Sequence, residues 1–248
     1  MHVKKTTLIS VLAMSCLALT SAVAQTASAA APTPLTAEER EAALKQFQTT
    51  HDNFLKSIAG LSEKQWTFKA APDRWSVAEV AEHITVSEST LFSLVQQRIM
   101  QSPAAPEKRE QVKGKDQMIL ERMSDRSHKA QAPEFLRPTG RWATEADLTE
   151  AFEDSRKTTM DYIRTTNDDL RDHFFDHPVF GPLDGYQWLL LISAHSARHT
   201  AQIEEVKADP NFPKEYRKII NHEGHEGSRR KPIELFLRDA SCPSWFTP

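Results

Sequence analysis

The feature that most constrains the fold is a helical repeat of apolar residues, which recurs in four segments of the chain. The segments begin at residues that can cap a helix, which are Thr36, Ser76, Thr144 and Asp184. After Thr36, Ser76 and Asp184, a Glu or Gln follows three positions later, which is the pattern of a capping box. Apolar residues three or four positions apart then give each helix one face to bury. The sequence therefore predicts an all-α protein built on four amphipathic helices.

Turn signals predict where these helices end. The first helix is predicted to end near Gly60, the second near Gln101 and the fourth near Lys207. Residues 176–182 contain prolines and a glycine, and they are predicted to form a loop before the last helix. Residues 214–248 are charged and poorly patterned, so we predict a peripheral or disordered tail there.

The connection lengths predict how the four helices are arranged. Loops of ordinary length join helices one and two, and helices three and four, so each pair is predicted to be antiparallel. Residues 103–143 form a longer polar connection, with a short predicted helix at about 116–123. This connection is long enough to cross the bundle and to pack over one end of it. The prediction is a four-helix bundle over residues 36–213, with up-down-down-up topology and a long crossover between helices 2 and 3.

The N-terminus has the layout of a secretory signal peptide. Lys4 and Lys5 precede an apolar run over residues 8–19, which is too short to be a spanning helix. Small residues then alternate at 22–24 and 27–29, which predicts a signal peptide over residues 1–30 with cleavage near 24 or at 29–30. We expect export to the periplasm or the medium, with no stable membrane insertion after processing. A retained N-terminal anchor is the alternative.

Composition excludes several classes of function. The formal net charge of −3 gives no electrostatic reason to expect nucleic-acid binding. Only Cys242 lies outside the predicted signal peptide, so neither an internal disulfide nor cysteine-ligated zinc is expected. Because no Gly-rich phosphate loop is present, nucleotide binding of that type is not expected either. We expect a small-molecule substrate, and a homodimer is left open.

Candidate metal ligands lie on the second and fourth helices. His195 and His199 are four residues apart on an apolar stripe, and this spacing lets both imidazoles reach one ion. Burying two unpaired imidazoles there would be costly. His83, at the edge of the stripe of the second helix, can supply a third nitrogen, although it can also be read as a hydrogen-bonded core residue. A site with three nitrogen ligands leaves one coordination position open, as catalytic sites do.

Other polar residues are assigned weaker roles. Gln202, one turn beyond His199, is a candidate for orienting a ligand or binding substrate, and Tyr162 is a candidate pocket residue. His51 faces inward on the first helix and is interpreted as a structural or ligand-supporting residue, with ligation as the alternative. Glu82 is interpreted as solvated, and no carboxylate is assigned as a catalytic base. The remaining histidines lie in or near predicted loops and are interpreted as surface residues: His128, His173 and His177.

Two motifs resemble those of DinB-like (YfiT-like) proteins. Residues 74–83 contain a match to W-S-x-x-E-x-x-x-H, and residues 195–203 match H-x-x-R-H-x-x-Q-I. Residues 177–182 are also similar to that family, and the resemblance covers about residues 44–213. It implies an up-down-down-up four-helix bundle that holds a divalent metal, zinc or nickel. The implied ligands are the residues already reached from spacing, namely His83, His195 and His199.

The resemblance implies several activities. Better-understood members are metal-dependent thiol S-transferases, isomerases that use low-molecular-weight thiols, and presumed hydrolases. Because export would separate this protein from a cytosolic thiol, we expect a metal-dependent hydrolase whose ion activates water. The alternatives are a thiol S-transferase at the same site and a non-enzymatic metal-binding or stress-associated bundle. An open coordination position favours an enzyme, whereas a fourth protein ligand would favour the non-enzymatic alternative.

Overall fold

The computed structural model describes residues 33–127 and 131–214. Within them, in chain order, the elements are α1 Ala37–Ile58, α2 Glu63–Trp66, α3 Val77–Leu94, α4 Arg109–Val112, α5 Lys115–Ser124, α6 Glu145–Thr165, β1 Phe174–His177, β2 Gly181–Asp184 and α7 Gly185–Lys207. The predicted helical class is confirmed, with a small two-stranded sheet in addition. The predicted signal peptide, and the predicted tail from residue 215 onward, lie outside the described residues.

The predicted helix starts are confirmed by their hydrogen bonds. The hydroxyls of Thr36 and Ser76 and the carboxylate of Asp184 each accept a hydrogen bond from the backbone N–H three residues later. At all three the reciprocal bond closes a capping box, and Thr144 caps α6 through its hydroxyl alone. These bonds satisfy backbone donors that the first turn of a helix leaves unpaired.

Residues 176–182 do not form the predicted loop. Strands β1 and β2 instead pair as an antiparallel hairpin, with Phe174 opposite Asp184 and His177 opposite Gly181. Gly181 has a φ of +67°, which glycine adopts at little steric cost. The Lys115 ammonium donates to carbonyl oxygens in this hairpin. Such short strands are stable only when packed against the rest of a fold.

Two smaller differences concern the second predicted helix and the connection after it. The second helix keeps α geometry only to Leu94, and a π-helical segment, Val95–Ile99, follows it. The predicted short helix within the connection is confirmed as α5, Lys115–Ser124. The sequence reading missed α2 and α4, which are only four residues long. Among the described residues, no helix is both long and apolar enough to cross a bilayer.

The longest helices pack around a shared interior. Helix α7 contacts α1, α3 and α5, while α6 contacts α1 and α3. One apolar cluster includes Phe47, Ile99 and Leu189, and a second includes Phe54, Ile84 and Ile203. Helix α7 contributes to both clusters, so its side chains are fixed along most of its length.

A buried ion pair links the four longest helices. Arg156 of α6 and Glu88 of α3 are each 1% exposed, and Arg156 Nε lies 2.8 Å from Glu88 Oε1. The same guanidinium donates to the Phe47 carbonyl and the Thr50 hydroxyl of α1, both at 2.7 Å. It also donates to the Ser196 hydroxyl of α7 at 3.0 Å. One side chain therefore holds α1, α3 and α7 in register against α6.

Replacing Arg156 by Ala should destabilise the protein strongly, because Glu88 would stay buried without its partner. Breaking a buried pair in this way costs roughly 3–5 kcal/mol. The free energy of unfolding, measured in urea, tests the expectation. Arg164→Ala is the matched control, because it removes an exposed arginine of the same helix that pairs with Asp161 at the surface. Comparable losses for the two variants would contradict the role given to Arg156.

Candidate metal centre

Three histidine side chains converge where α3 faces α7. His83 lies in the second turn of α3, and His195 and His199 lie one turn apart on α7. One nitrogen from each ring lies within 4.8 Å of the other two. The nitrogens around a tetrahedral zinc ion lie about 3.4 Å apart, so small side-chain rotations would close the site. The structure confirms that these predicted residues form a group that could hold a metal ion.

The orientation of His83 is set from outside its own helix. Its Nδ1 lies 2.8 Å from the carbonyl oxygen of Leu136, in the connection between α3 and α6. A carbonyl oxygen only accepts hydrogen bonds, so Nδ1 carries the hydrogen and the lone pair lies on Nε2. Metal-binding histidines commonly use their second nitrogen in this way. Nε2 of His83 is therefore the atom available to an ion.

The connection is fixed beside His83 by Glu82, which was wrongly interpreted as a solvated residue. Glu82 is only 5% exposed. Its carboxylate accepts hydrogen bonds from the backbone N–H groups of Thr139, at 2.7 Å, and Gly140, at 2.8 Å. Backbone N–H groups are strong partners for a buried carboxylate. The adjacent residues Glu82 and His83 of α3 therefore both form hydrogen bonds with residues 136–140 of the connection.

His199 is oriented from within its own helix. Its Nδ1 lies 2.8 Å from Oε1 of Gln202, three residues later. With the amide oxygen as acceptor, Nδ1 of His199 carries the hydrogen and Nε2 keeps its lone pair. Gln202 therefore has the geometry of a residue that orients a metal ligand. A role for Gln202 in binding substrate remains a prediction.

His83 is buried and His195 and His199 are half-buried, and the loss of water around the three rings favours their neutral form. Desolvation lowers the pKa of His83, lowers that of His195 well below its usual range, and lowers that of His199 to about 3. The neighbouring imidazoles lower the pKa values of His195 and His199 further, as do cationic side chains nearby. The neutral imidazole is the form that binds a metal ion. Three neutral nitrogen donors suit zinc or nickel, so the donor set fits the metals that the sequence motifs imply.

Tyr162 has other contacts. Its hydroxyl donates to Asp168 Oδ2 at 2.8 Å, and its ring packs edge-on against Phe92. Burial is the first cause that raises the pKa of Tyr162, and the bond to Asp168 adds to it. A pocket role for Tyr162 therefore stays a prediction that none of these contacts supports.

Among the described residues, no histidine outside α3 and α7 joins the cluster of three. His51 faces Asp52, with its Nδ1 2.9 Å from a carboxylate oxygen. His173 Nδ1 lies 2.7 Å from the carbonyl oxygen of Ser102. His128 lies outside the described residues. Ligation by His51 is therefore not supported, and its structural role stays a prediction.

His177, which was interpreted as a surface residue, is only partly exposed. The side chain is half-buried, and its ring packs 5.3 Å from that of Trp188. Its Nδ1 accepts hydrogen bonds from the backbone N–H groups of Val179 and Phe180. His177 is also close enough to His195 that its positive charge would lower the pKa of His195. The sequence did not indicate this partial burial, because His177 directly precedes a proline, a pattern typical of a surface loop.

Comparison with known proteins supports the motif-based assignment. A model of the DinB superfamily matches residues 46–203, which include all three clustered histidines. The chain therefore belongs to the DinB superfamily. It is also similar to the uncharacterized protein YuaE of Bacillus subtilis (strain 168), at 25% identity over 150 residues. That match covers 60% of this chain and 88% of YuaE.

The metal-free protein should lose stability as the pH falls. Below about pH 6.5 the unfolded chain protonates its histidines, whereas the folded site keeps them neutral. The free energy of unfolding is therefore unaffected by histidine protonation above that pH. It decreases as the pH falls toward the lowered pKa values of the folded state. For His199 the loss should be about 2 kcal/mol at pH 5. Urea unfolding in excess chelator measures it, and His199→Ala should show a shallower pH dependence. An unchanged slope in that variant would contradict the assignment.

Removing the partner of His199 should weaken metal binding without removing a ligand. Gln202→Leu is expected to raise the dissociation constant for zinc by 10- to 100-fold, a common cost of losing a group that orients a ligand. Gln202→Glu keeps an acceptor oxygen at the same position and should bind zinc at least as tightly as the wild type. Competition with a chromophoric chelator measures both constants. Equal affinities for the Leu and Glu variants would show that the contact does not orient His199.

Proposed function

We propose that this chain is an exported, metal-dependent hydrolase whose zinc or nickel ion is held by His83, His195 and His199. The observation that carries the proposal is the convergence of three neutral imidazole groups at one point between α3 and α7. Among the residues that the structure describes, no cysteine or carboxylate joins this group as a fourth ligand. A site of this composition leaves room for water and substrate, which distinguishes catalytic from closed structural sites.

A divalent ion held there would supply Lewis acidity, which activates water and polarises a substrate carbonyl or phosphoryl oxygen. The protein's own contribution is to orient the ligands. The Leu136 carbonyl and the Gln202 amide oxygen hold the Nδ1 edges of His83 and His199, so both rings are fixed before an ion arrives. Ligands held in this way need little reorganisation on binding, which favours both affinity and reactivity.

We propose the up-down-down-up bundle topology for α1, α3, α6 and α7. The contacts between α3 and α7 support antiparallel packing of that pair. His83 meets His199, while Glu88, further along α3, meets Ser196, which comes earlier along α7. This reversed order is expected when α3 runs against α7. The connection between α3 and α6 then supplies the crossover.

Export supports hydrolysis over the alternative of thiol transfer. Lys4, Lys5 and the apolar run of residues 8–19 form the n- and h-regions of a signal peptide. In the periplasm or the medium, water is abundant and cytosolic thiol cosubstrates are absent. A thiol S-transferase on the same three histidines, which would stabilise a thiolate, is the enzyme alternative. It predicts a different product from the same metal-loaded protein.

Zinc or nickel should stabilise the wild type at about pH 7.5, where the histidines are neutral in both folded and unfolded chains. A ligand at a hundred times its dissociation constant stabilises the folded state by about 2.7 kcal/mol. His199→Ala should lose most of this metal-induced increase in melting temperature. His173→Ala is the matched control, because His173 lies outside the cluster, and it should keep the increase.

The same protein should be screened with and without metal against ester, amide, phosphoester and thiol-conjugation substrates. Metal-dependent cleavage that His199→Ala abolishes would support the hydrolase. Metal-dependent thiol conjugation would replace it with the transferase. Equal metal-induced stabilisation of the wild type and His199→Ala would show that the ion binds elsewhere, and the proposal would fail.

A further inference from the structure

A buried hydroxyl without a partner lies one turn beyond His83. Ser87 is 1% exposed, and among the described residues no group hydrogen-bonds its Oγ. Residues four apart on a helix project from the same face, so Ser87 lies on the face of α3 that carries His83. A buried hydroxyl without a hydrogen-bond partner destabilises the folded state. Such a group in a native protein calls for a partner beyond the described residues, such as a water molecule or a bound ligand.

Ser87 follows His83 on α3, in the part of that helix that faces the N-terminal half of α7. Because α3 and α7 run in opposite directions along their contact, residues after His83 face residues before His199. The contact of Glu88 Oε2 with Ser196 Oγ, at 3.4 Å, shows this offset. Trp188 lies seven residues before His195 and so shares its face of α7. Ser87 and Trp188 therefore lie on the same side of the three histidines.

The hairpin brings His177 to that same side, since its ring packs on Trp188. Its Nδ1 accepts hydrogen bonds from the backbone N–H groups of Val179, at 3.1 Å, and Phe180, at 3.2 Å. In the neutral ring these bonds place the hydrogen on Nε2. Among the described residues, none accepts a hydrogen bond from that Nε2. The backbone of the turn thus presents His177 as a hydrogen-bond donor with a fixed tautomer.

The charges around the site favour a negative ligand. Arg126 and Arg198 lie close enough to His199 to lower its pKa. Arg198 donates to the carbonyl oxygens of Met123 and Asp125, and Arg126 pairs with Glu205. Both arginines act on His199 as positive charges. A bound divalent cation would add to their positive field.

We propose that Ser87 and His177 form a subsite, beside the three histidines, that binds an oxygen anion of the substrate, either a carboxylate or a phosphoryl group. The proposal rests on the proposed function and adds a substrate class to it. Ser87 Oγ and His177 Nε2 each donate one hydrogen bond to the anion, which sits between α3 and the hairpin. Neither residue is a metal ligand. Their task is to select and position the substrate.

The test uses the full chain loaded with cobalt, whose visible absorption reports ligands near the ion. Inorganic phosphate and acetate are the probes, and each is titrated into the wild type and the variants. Ser87→Ala and His177→Asn should each raise the dissociation constant of the better probe about tenfold, the usual cost of losing a hydrogen bond to a charged group. Asn keeps an acceptor near the position of Nδ1 for the turn but lacks the Nε2 donor. His177→Gln restores a donor and should recover part of the affinity.

Two matched controls separate this loss from general effects. Ser89→Ala removes a hydroxyl of the same helix that is bonded to the Val86 carbonyl. His173→Ala removes an imidazole near the same hairpin that contacts Ser102. Both should bind the probes as the wild type does, and all variants should bind cobalt with unchanged affinity. The probe with the larger change identifies the anion as carboxylate or phosphoryl.

Several results would overturn the subsite. Wild-type affinity in both Ser87→Ala and His177→Asn would show that neither residue binds the anion. Equal losses in the controls would show a nonspecific effect, and loss of cobalt from His177→Asn would make His177 a ligand. If the wild type takes up no cobalt, the proposed metal centre fails by itself. The His177 Nε2 resonance then decides the subsite: phosphate should shift it in the metal-free wild type, and no shift would overturn the proposal.

Discussion

Arg156 forms hydrogen bonds with all three of the other long helices, and the geometry of the three-histidine cluster depends on that arrangement. Its partner Glu88 follows His83 by five residues, and Ser196, which it also contacts, follows His195 directly. The ion pair therefore fixes how far α3 is displaced along α7. A slip of one residue would move a ring by about 1.5 Å and turn it by 100°. Nitrogens from two helices lie within 4.8 Å only because this register is fixed.

The hydrogen bonds of the histidines follow one chemical pattern. An oxygen or a backbone N–H binds Nδ1, and this bond determines whether Nε2 carries a hydrogen or a lone pair. Carbonyl and amide oxygens hold Nδ1 of His83 and His199, and two N–H groups hold Nδ1 of His177. Two rings are thus set as lone-pair donors at Nε2, and the third as a hydrogen donor. Residues of one type therefore take opposite roles because their hydrogen-bond partners differ. The long connection supplies the partner of His83 and the hairpin supplies those of His177, so neither segment is a simple linker.

Local signals in the sequence predicted the parts of the fold that local chemistry determines. Capping boxes and apolar spacing gave the starts of the helices, and the spacing of His195 and His199 gave half of the site. His83 needed a motif match as well, because its distance from α7 depends on packing. The burial of Glu82 was not predictable, since its partners Thr139 and Gly140 are distant in sequence. The hairpin was missed because its four-residue strands are held by tertiary contacts, including that of Trp188 Nε1 with the Phe175 carbonyl.

Desolvation of the histidines also determines whether acid acts on metal coordination or on folding. A histidine exposed to water would have to lose a proton before binding metal below about pH 6.5. In the folded chain, desolvation has already lowered the pKa of His199 to about 3, and that of His195 well below its usual range. At mildly acidic pH the folded site therefore favours the neutral imidazoles that a metal ion would need. The proton competition appears instead in the unfolded chain, where the same histidines are free to protonate. Acid thus opposes folding rather than coordination, and a bound ion counteracts it by stabilising only the folded state.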